Sequence, residues 1–379
     1  MTLRRIVAIS DFCTKVPPEP PQMRQRDQQA PAPVAPGVGV AGGYLERLPL
    51  AVVKSGLAEA AEVWSFAGSD DHATGLTLSP YGPGERRFRA DGHPAPYGSA
   101  DMLAHIRTFG APDILCVWGL GVTEPVLEAC ADSVKIYNSL DVDALRIPAR
   151  LSRHIDIFLT ASPAQSAAVS ARHPGATVEM LPVGPDFAAP DTFHPLPAAP
   201  KEFDLIYVAA AQPYKRHDIL FEAMAHLPRS IRALCVCGYG EDGGTLRDRA
   251  AAAGIDVTFV GPPGVPHADV NRLMNRARIG VVCGVKDGAP AILTEYMLAG
   301  LPVLANADLA CGLQYIRPDT GRAASAGDFA VAITEMLGGL DHFSPREAAL
   351  HSWIWPRSMA RLAPLIEQAF TNRRQRWFA

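Results

Sequence analysis

The chain has 379 residues, 48% of them hydrophobic and 20% charged, with a formal net charge of −4. At about 100–200 residues per domain this length predicts two domains, and the near-neutral balance argues against bulk binding to nucleic acid. No window approaches the ~20 apolar residues that span a bilayer, so a soluble, cytoplasmic protein is expected, at most peripheral to a membrane.

The opening "MTLRRIVAISDF" has a basic start, but its apolar run at 6–9 is too short for a signal segment and reads as a buried first strand. Residues 15–41 are Pro- and Gln-rich with almost no large apolar side chain, which predicts a long mobile loop, either an active-site lid or a tolerated insertion. From the helix beginning near Gly43 onward, strand-like runs alternate with helix-length amphipathic stretches: "AEVWSF", "DILCVW", "VKIYN" and "DIFLTA", then "FDLIYVA", "RALCVCG", "VTFVG", "IGVVCG" and "PVLAN". That βα rhythm predicts parallel sheets.

The rhythm breaks at 185–202, "PDFAAPDTFHPLPAAPKE", whose prolines continue neither a helix nor a central strand, so a linker is expected there. Two doubly wound domains would leave a cleft between the carboxyl edges of their strands. Near the C-terminus "SPRE" (344–347) is a capping box with Pro at the first helical position. Pro356 is expected to interrupt the helix that begins there, and Pro364 to kink the last one. The last turn, 372–378, is basic and aromatic and could touch anionic lipid, although a solvated tail is the plainer reading. The seven cysteines are scattered without a C-x-x-C pair and read as reduced thiols.

The chemistry concentrates after residue 279: strand "IGVVCG", loop "VKDGAP", helix "AILTEYMLAG" ended by Gly300. Unpaired amides from Ala289 through Pro290 and Ala291 to Ile292, where only Pro290 lacks an N–H, would favour a phosphate or diphosphate, and Gly288 and Ala289 would let it approach. Asp287 and Glu295 are eight positions apart, ~12 Å for a fully helical spacer at 1.5 Å per residue. They share neither a proton nor a metal at that distance; the spacing suits two hydroxyl-bearing rings at the ends of a diphosphate. The plain alternative is an Asp near a helix start and a solvated helix Glu.

"DGAPAILTEYMLAGLPVLA" (287–305) resembles the hallmark of the large retaining glycosyltransferase family with the GT-B fold, glycosyl transferases group 1. The resemblance implies two Rossmann-like domains, 1–188 and 201–350, with helices in 351–379 returning to the first. It implies a donor-sugar contact for Asp287, where the family carries Glu, and a ribose contact for Glu295. "YVAAAQPYKRHDILFEAM" (207–224) is similar to the donor-binding segment, placing Lys215 on the family's lysine and Ala210 on its arginine, with Arg216 as a partial substitute. Gly238 in "VCGYGED" and Gly261 in "VTFVGPPG" fall on segments that line the nucleotide side, and Gly42 and Gly43 on the first domain's Gly-Gly loop. "RHIDIF" to "GPD" (153–186) and "HSWIWP" (351–356) extend the match. Asp141 follows the strand where relatives carry His, and it is the candidate polar wall with Asn138 and Ser139. "DVD" (141–143) could be read as a metal signature, but no metal or other cofactor is expected; His217 and His267 read as surface residues.

The implied activity is transfer of a sugar from a nucleotide-sugar to an acceptor hydroxyl of a saccharide, lipid-linked glycan or natural product, with retention and without metal. Two other readings use the same fold: a catalytically weak or inactive binding subunit, which Ala210 and Asp287 favour, and a nucleotide-sugar epimerase or hydrolase.

Overall fold

The computed structural model describes residues 3–14, 30–67, 74–92, 94–120, 122–139 and 141–377. The chain forms two compact units, Met1–Val183 with Trp355–Ala379, and Gly184–Ile354. The mobile loop expected at 15–41, lid or insertion, lies outside the described residues up to 29. From residue 30 it is not a free loop: Val34 donates its amide to Glu59 at 2.9 Å and Val40 is buried.

The first unit runs β1 (Arg5–Thr14), α1 (Tyr44–Lys54), β2 (Ala60–Ala67), β3 (Thr74–Leu78), β4 (Gly84–Arg89), α2 (Ala100–Phe109), β5 (Ile114–Trp118), α3 (Glu124–Ala129), β6 (Val134–Asn138), α4 (Ala149–Ser152), β7 (Ile157–Thr160), α5 (Pro163–Arg172) and β8 (Thr177–Met180). Its sheet has the order β3-β4-β2-β1-β5-β6-β7-β8, parallel except for the β3–β4 pair. β5 and the 6–9 run of β1 are apolar and buried on both faces, as expected of parallel strands covered by helices, and β6 is equally buried although it carries Lys135 and Asn138. β4, "GERRFR", does not look like a strand in sequence. Arg86 nevertheless points inward and pairs with Glu62 of β2 at 2.8 Å, with both side chains buried, while the Trp64 indole donates to the same carboxylate at 2.7 Å. A buried pair of this kind is tolerable because its hydrogen bonds are also satisfied.

The second unit contains β9 (Leu205–Val208), α6 (His217–Ala225), β10 (Arg232–Val236), α7 (Gly243–Ala253), β11 (Asp256–Val260), α8 (His267–Asn275), β12 (Ile279–Val282), α9 (Ile292–Leu298), β13 (Val303–Asn306), β14 (Gly321–Ala324), α10 (Phe329–Gly338) and α11 (Pro345–Ser352). All its strands are parallel, in the order β11-β10-β9-β12-β13-β14. The segment 185–202 is not a linker. Phe187, Ala188 and Phe193 are fully buried, Ala188 and Phe193 join the core around Tyr296 and Trp353, and the Ala188 amide bonds the Trp353 carbonyl at 3.3 Å. Its first half, 185–193, is packed into the core apart from Asp191, whereas Pro195, Pro197 and Pro200 further on are exposed.

The chain breaks between α11 and α12 (Trp355–Trp377), and α12 starts with Pro356 in its first turn and runs through Pro364. Leu362 and Ile366 bury it in the first unit, where α12 packs on α1. No helix among the described residues is long and apolar enough to cross a membrane.

Order reverses between β9 and β12. They pair only as far as Ile279 with Leu205 and Gly280 with Ile206, then part. The next β9 amide on that side, Val208, is taken at 2.7 Å by the hydroxyl of Tyr296 from α9, which in turn donates to the Ile206 carbonyl at 3.2 Å. A Cβ at Gly280 would come within 2.4 Å of the Tyr296 ring, so the ring can lie against the strand only because that residue is glycine. Tyr296→Phe keeps the ring but leaves a buried amide unpaired, and should lower stability by about 1–3 kcal/mol, read as a lower urea midpoint; an unchanged midpoint would count against this role.

Candidate functional site

The parting of β9 and β12 is a topological switch point, the place where open α/β sheets bind ligands beyond the carboxyl ends of their strands. The two loops that leave these strands bring Lys215 and Asp287 together. After β9 the chain makes a single 3₁₀ turn, Pro213–Lys215, held by the Tyr207 hydroxyl donating to the Lys215 carbonyl at 2.5 Å. After β12 the loop is anchored where Asn306 donates to the Cys283 carbonyl at 3.0 Å and the Ala310 amide bonds the Val285 carbonyl at 2.8 Å. Between these anchored loops the Lys215 ammonium pairs with Asp287 Oδ2, the side chains being only 15% and 11% exposed. Lys215 Nζ also sits 4.9 Å from the centroid of the Tyr214 ring. Tyr214 and Tyr207 are supporting residues that sequence reasoning missed, the first because an exposed Tyr carries no pattern.

Beside this pair lies a run of backbone donors. Among the described residues, no protein acceptor takes the amides of Gly288, Ala289, Ala291 or Ile292. Ala289 has φ 53°, an uncommon conformation for a residue with a side chain, and it turns the chain over Gly184, where a Cβ would be 3.2 Å from both the Ala289 carbonyl and the Ala291 methyl. The expected helix at 291–300 is shorter: α9 covers seven residues, and Pro290 and Ala291 precede it. The spacer between Asp287 and Glu295 is therefore only half helical, so the ~12 Å helical estimate does not describe it, and the donors belong to the loop more than to a helix end. Glu295 is not a solvated helix Glu; it is 7% exposed within α9.

The other candidates fall into different circumstances. Arg216 does not join Lys215: its guanidinium is held by Asp218 at 2.8–3.1 Å. Ala210 is buried in the turn after β9. Gly238 packs against Gly264, and at Gly261 a Cβ would lie 2.3 Å from the Cys237 carbonyl, so the fold itself requires that glycine. In the first unit, the Gly43 amide donates to Glu46 at 2.8 Å and the Gly42 carbonyl accepts from the buried Arg47 at 2.8 Å, which fixes the start of α1. Asp141 follows β6, but its carboxylate is paired with Arg146 at 2.8 Å, both about 40% exposed. Ser139 and Asn138 are buried, bonding the Asp143 carbonyl at 2.9 Å and the Val183 amide at 3.1 Å respectively.

His217 is not a surface residue. It is 2% exposed, its ring centroid lies 4.7 Å from that of Tyr207, and burial, with Lys215 nearby, lowers its pKa to about 4. It is neutral at pH 7 and serves as packing beneath the Lys215 turn. His267 is half-buried against Phe193. Among the described residues no three His, Cys, Asp or Glu side chains are grouped to hold a metal ion.

Residues 190–328 match the family described as glycosyl transferases group 1. Among solved structures, the chain resembles sucrose-phosphate synthase from Thermosynechococcus elongatus, with a TM-score of 0.69 at 19% identity, covering 97% of this chain and 100% of that one. It also resembles Anabaena HepE in complex with UDP and glucose (TM-score 0.67, 13% identity, 96% and 100% covered). A third is the lipopolysaccharide outer core galactosyltransferase WaaB (0.63, 14%, 96% and 99%). These likenesses identify the fold as GT-B. No curated protein matches in sequence.

The loop after β10 is docked onto the turn that leads to Lys215, since the Ala211 amide bonds the Tyr239 carbonyl at 2.7 Å and the Asp242 amide the Ala211 carbonyl at 3.0 Å. Gly240 allows this contact: its φ is 119° and a Cβ would be 2.3 Å from the Ala211 carbonyl. Gly240→Ala should cost about 1–3 kcal/mol through backbone strain, whereas Gly244→Ala, with nothing within 4 Å, should be neutral or gain up to ~1 kcal/mol. Urea unfolding of the two variants distinguishes them; equal midpoints would show that the docking is not strained by a side chain.

Proposed function

We propose that this chain, a glycosyltransferase of the group 1 family through residues 190–328 and GT-B in fold, moves a sugar from a nucleotide-sugar to an acceptor hydroxyl with retention of anomeric configuration. The observation that carries the reading is the Lys215–Asp287 pair at the switch point of the second unit. The donor's diphosphate lies against the Lys215 ammonium and the amides at 288–292. Asp287 orients Lys215 with one carboxylate oxygen and offers Oδ1 to a hydroxyl of the sugar. Glu295, buried in α9, accepts from the ribose. HepE, a structural neighbour, is described in complex with UDP and glucose, which supports a nucleotide-sugar of this kind.

In the reaction the bond from the anomeric carbon to the β-phosphate oxygen breaks while the acceptor oxygen bonds that carbon on the same face, and the acceptor's proton passes to the leaving phosphate. Negative charge builds on the diphosphate, and preorganised donors facing it lower the barrier because they need not reorient. Lys215 and the loop amides supply this stabilisation in place of a metal. With Ala210 and with Arg216 bound to Asp218, Lys215 is the cation on which it rests. Asp141 and the Gly42–Gly43 turn belong to the first unit and are assigned to the sugar and acceptor end. The protein works in the cytoplasm, and its acceptor is a saccharide, a lipid-linked glycan or a natural product.

Purified protein incubated with UDP-, GDP-, ADP- and dTDP-sugars and candidate acceptors should release nucleoside diphosphate, and the product's anomeric coupling should match the donor's. Lys215→Met should lower the rate about 10²–10³-fold, the loss of one preorganised donor, and Glu295→Gln should weaken donor binding. Chelator should leave the rate unchanged. Full turnover in Lys215→Met would overturn the assignment, and inversion of configuration the mechanism.

A further inference from the structure

The first unit contains a cavity of about 670 Å³ that plays no part in the proposed reaction. It lies at the amino-terminal ends of β6, β7 and β8, the edge of the sheet opposite Asn138 and Asp141, and α12 closes one side through Leu365, Ala369 and Arg373. Its charged lining, apart from histidines, is four cations, Lys135, Arg153, Arg172 and Arg373, against the carboxylates Glu128 and Asp156.

Among the described residues neither carboxylate is bonded to the Lys135 ammonium. Asp156 Oδ2 already accepts from the Arg373 guanidinium at 2.6 Å and from the Lys135 backbone amide at 2.8 Å. The Lys135 ammonium, in a residue only 2% exposed, donates to the Ala131 and Ser133 carbonyls at 3.4 and 3.2 Å, and among the described residues no carboxylate pairs with it. Two carbonyls leave one of its three N–H donors over. Among the described residues Arg172 reaches only the Leu145 and Ile147 carbonyls, through one nitrogen at 3.4 and 3.3 Å, which keeps other donors available. Burial and the nearby Arg373 lower the Lys135 pKa to about 8, outweighing the opposite pull of Asp156 and Asp132.

We propose that this cavity is a second ligand site, one that takes a phosphate group, with Lys135 at its floor and Arg172 and Arg373 at its sides. A phosphate adds negative charge where cations outnumber carboxylates, and its oxygens match the guanidinium donors in charge and geometry as water does not. The same chemistry could come from a soluble phosphate ester or from a phospholipid headgroup.

The test is a titration of the full chain with glycerol phosphate by calorimetry, and sedimentation with phosphatidylcholine vesicles with and without phosphatidic acid. Wild-type protein and Lys215→Met should bind one or both alike, and Lys135→Met and Arg172→Gln should bind at least tenfold more weakly. Binding to glycerol phosphate identifies a soluble ligand, and binding only to phosphatidic acid vesicles a headgroup; both support the site. If Lys135→Met fails to fold, exposed Arg172→Gln carries the test. Unchanged affinity in Arg172→Gln and Lys135→Met, loss of binding in Lys215→Met instead, or no binding to either phosphate form overturns it.

Discussion

The candidate site depends on one phenol. Where β9 and β12 stop pairing, a strand amide is left facing the gap, and the Tyr296 hydroxyl accepts from Val208 and donates to Ile206. A buried amide without a partner is costly, so the strands can part only where such a substitute exists. Gly280 makes the room for the ring. Because Tyr296 sits in α9, the contact that lets the strands diverge also fixes the loop at 283–291, which carries Asp287, and the helix that carries Glu295.

The site is economical in charge. Its central feature is one ammonium and one carboxylate from neighbouring loops, nearly buried and hydrogen-bonded together. Each loop is held by backbone bonds and by Tyr207, Asn306 and Ala310, not by further charges. The adjacent guanidinium of Arg216 is tied to Asp218. A ligand phosphate placed here meets one cation held by Asp287 and several fixed amide dipoles, which favour charge that develops in a defined place over charge in general.

Much of the fold was legible. Parallel strands buried on both faces are continuous apolar runs, and these announced β1, β5, β6, β9, β10, β12 and β13 without tertiary information. The loop-to-helix passage after β12 was readable because Asp287, Gly288 and Gly300 punctuate it. Other features were not. β4 carries an inward Arg86 whose partner, Glu62, is 24 positions away. The 185–202 segment looks like a linker by its prolines, but its Phe187 and Phe193 find a core only in three dimensions. The commitments of Arg216 to Asp218 and of Asp141 to Arg146 are choices among several nearby charges that spacing does not decide. His217 was misjudged for a related reason, since a helix-start position does not reveal that Tyr207 and Cys237 enclose it.

The proposed reaction requires a diphosphate to bind at this switch point. A crystal structure of the protein with a nucleoside diphosphate tests it most directly. The account predicts phosphate oxygens within hydrogen-bond distance of Lys215 Nζ and of at least two amides among Gly288, Ala289, Ala291 and Ile292, with the ribose hydroxyls on Glu295. A diphosphate bound elsewhere, with the Lys215–Asp287 pair untouched, would contradict it.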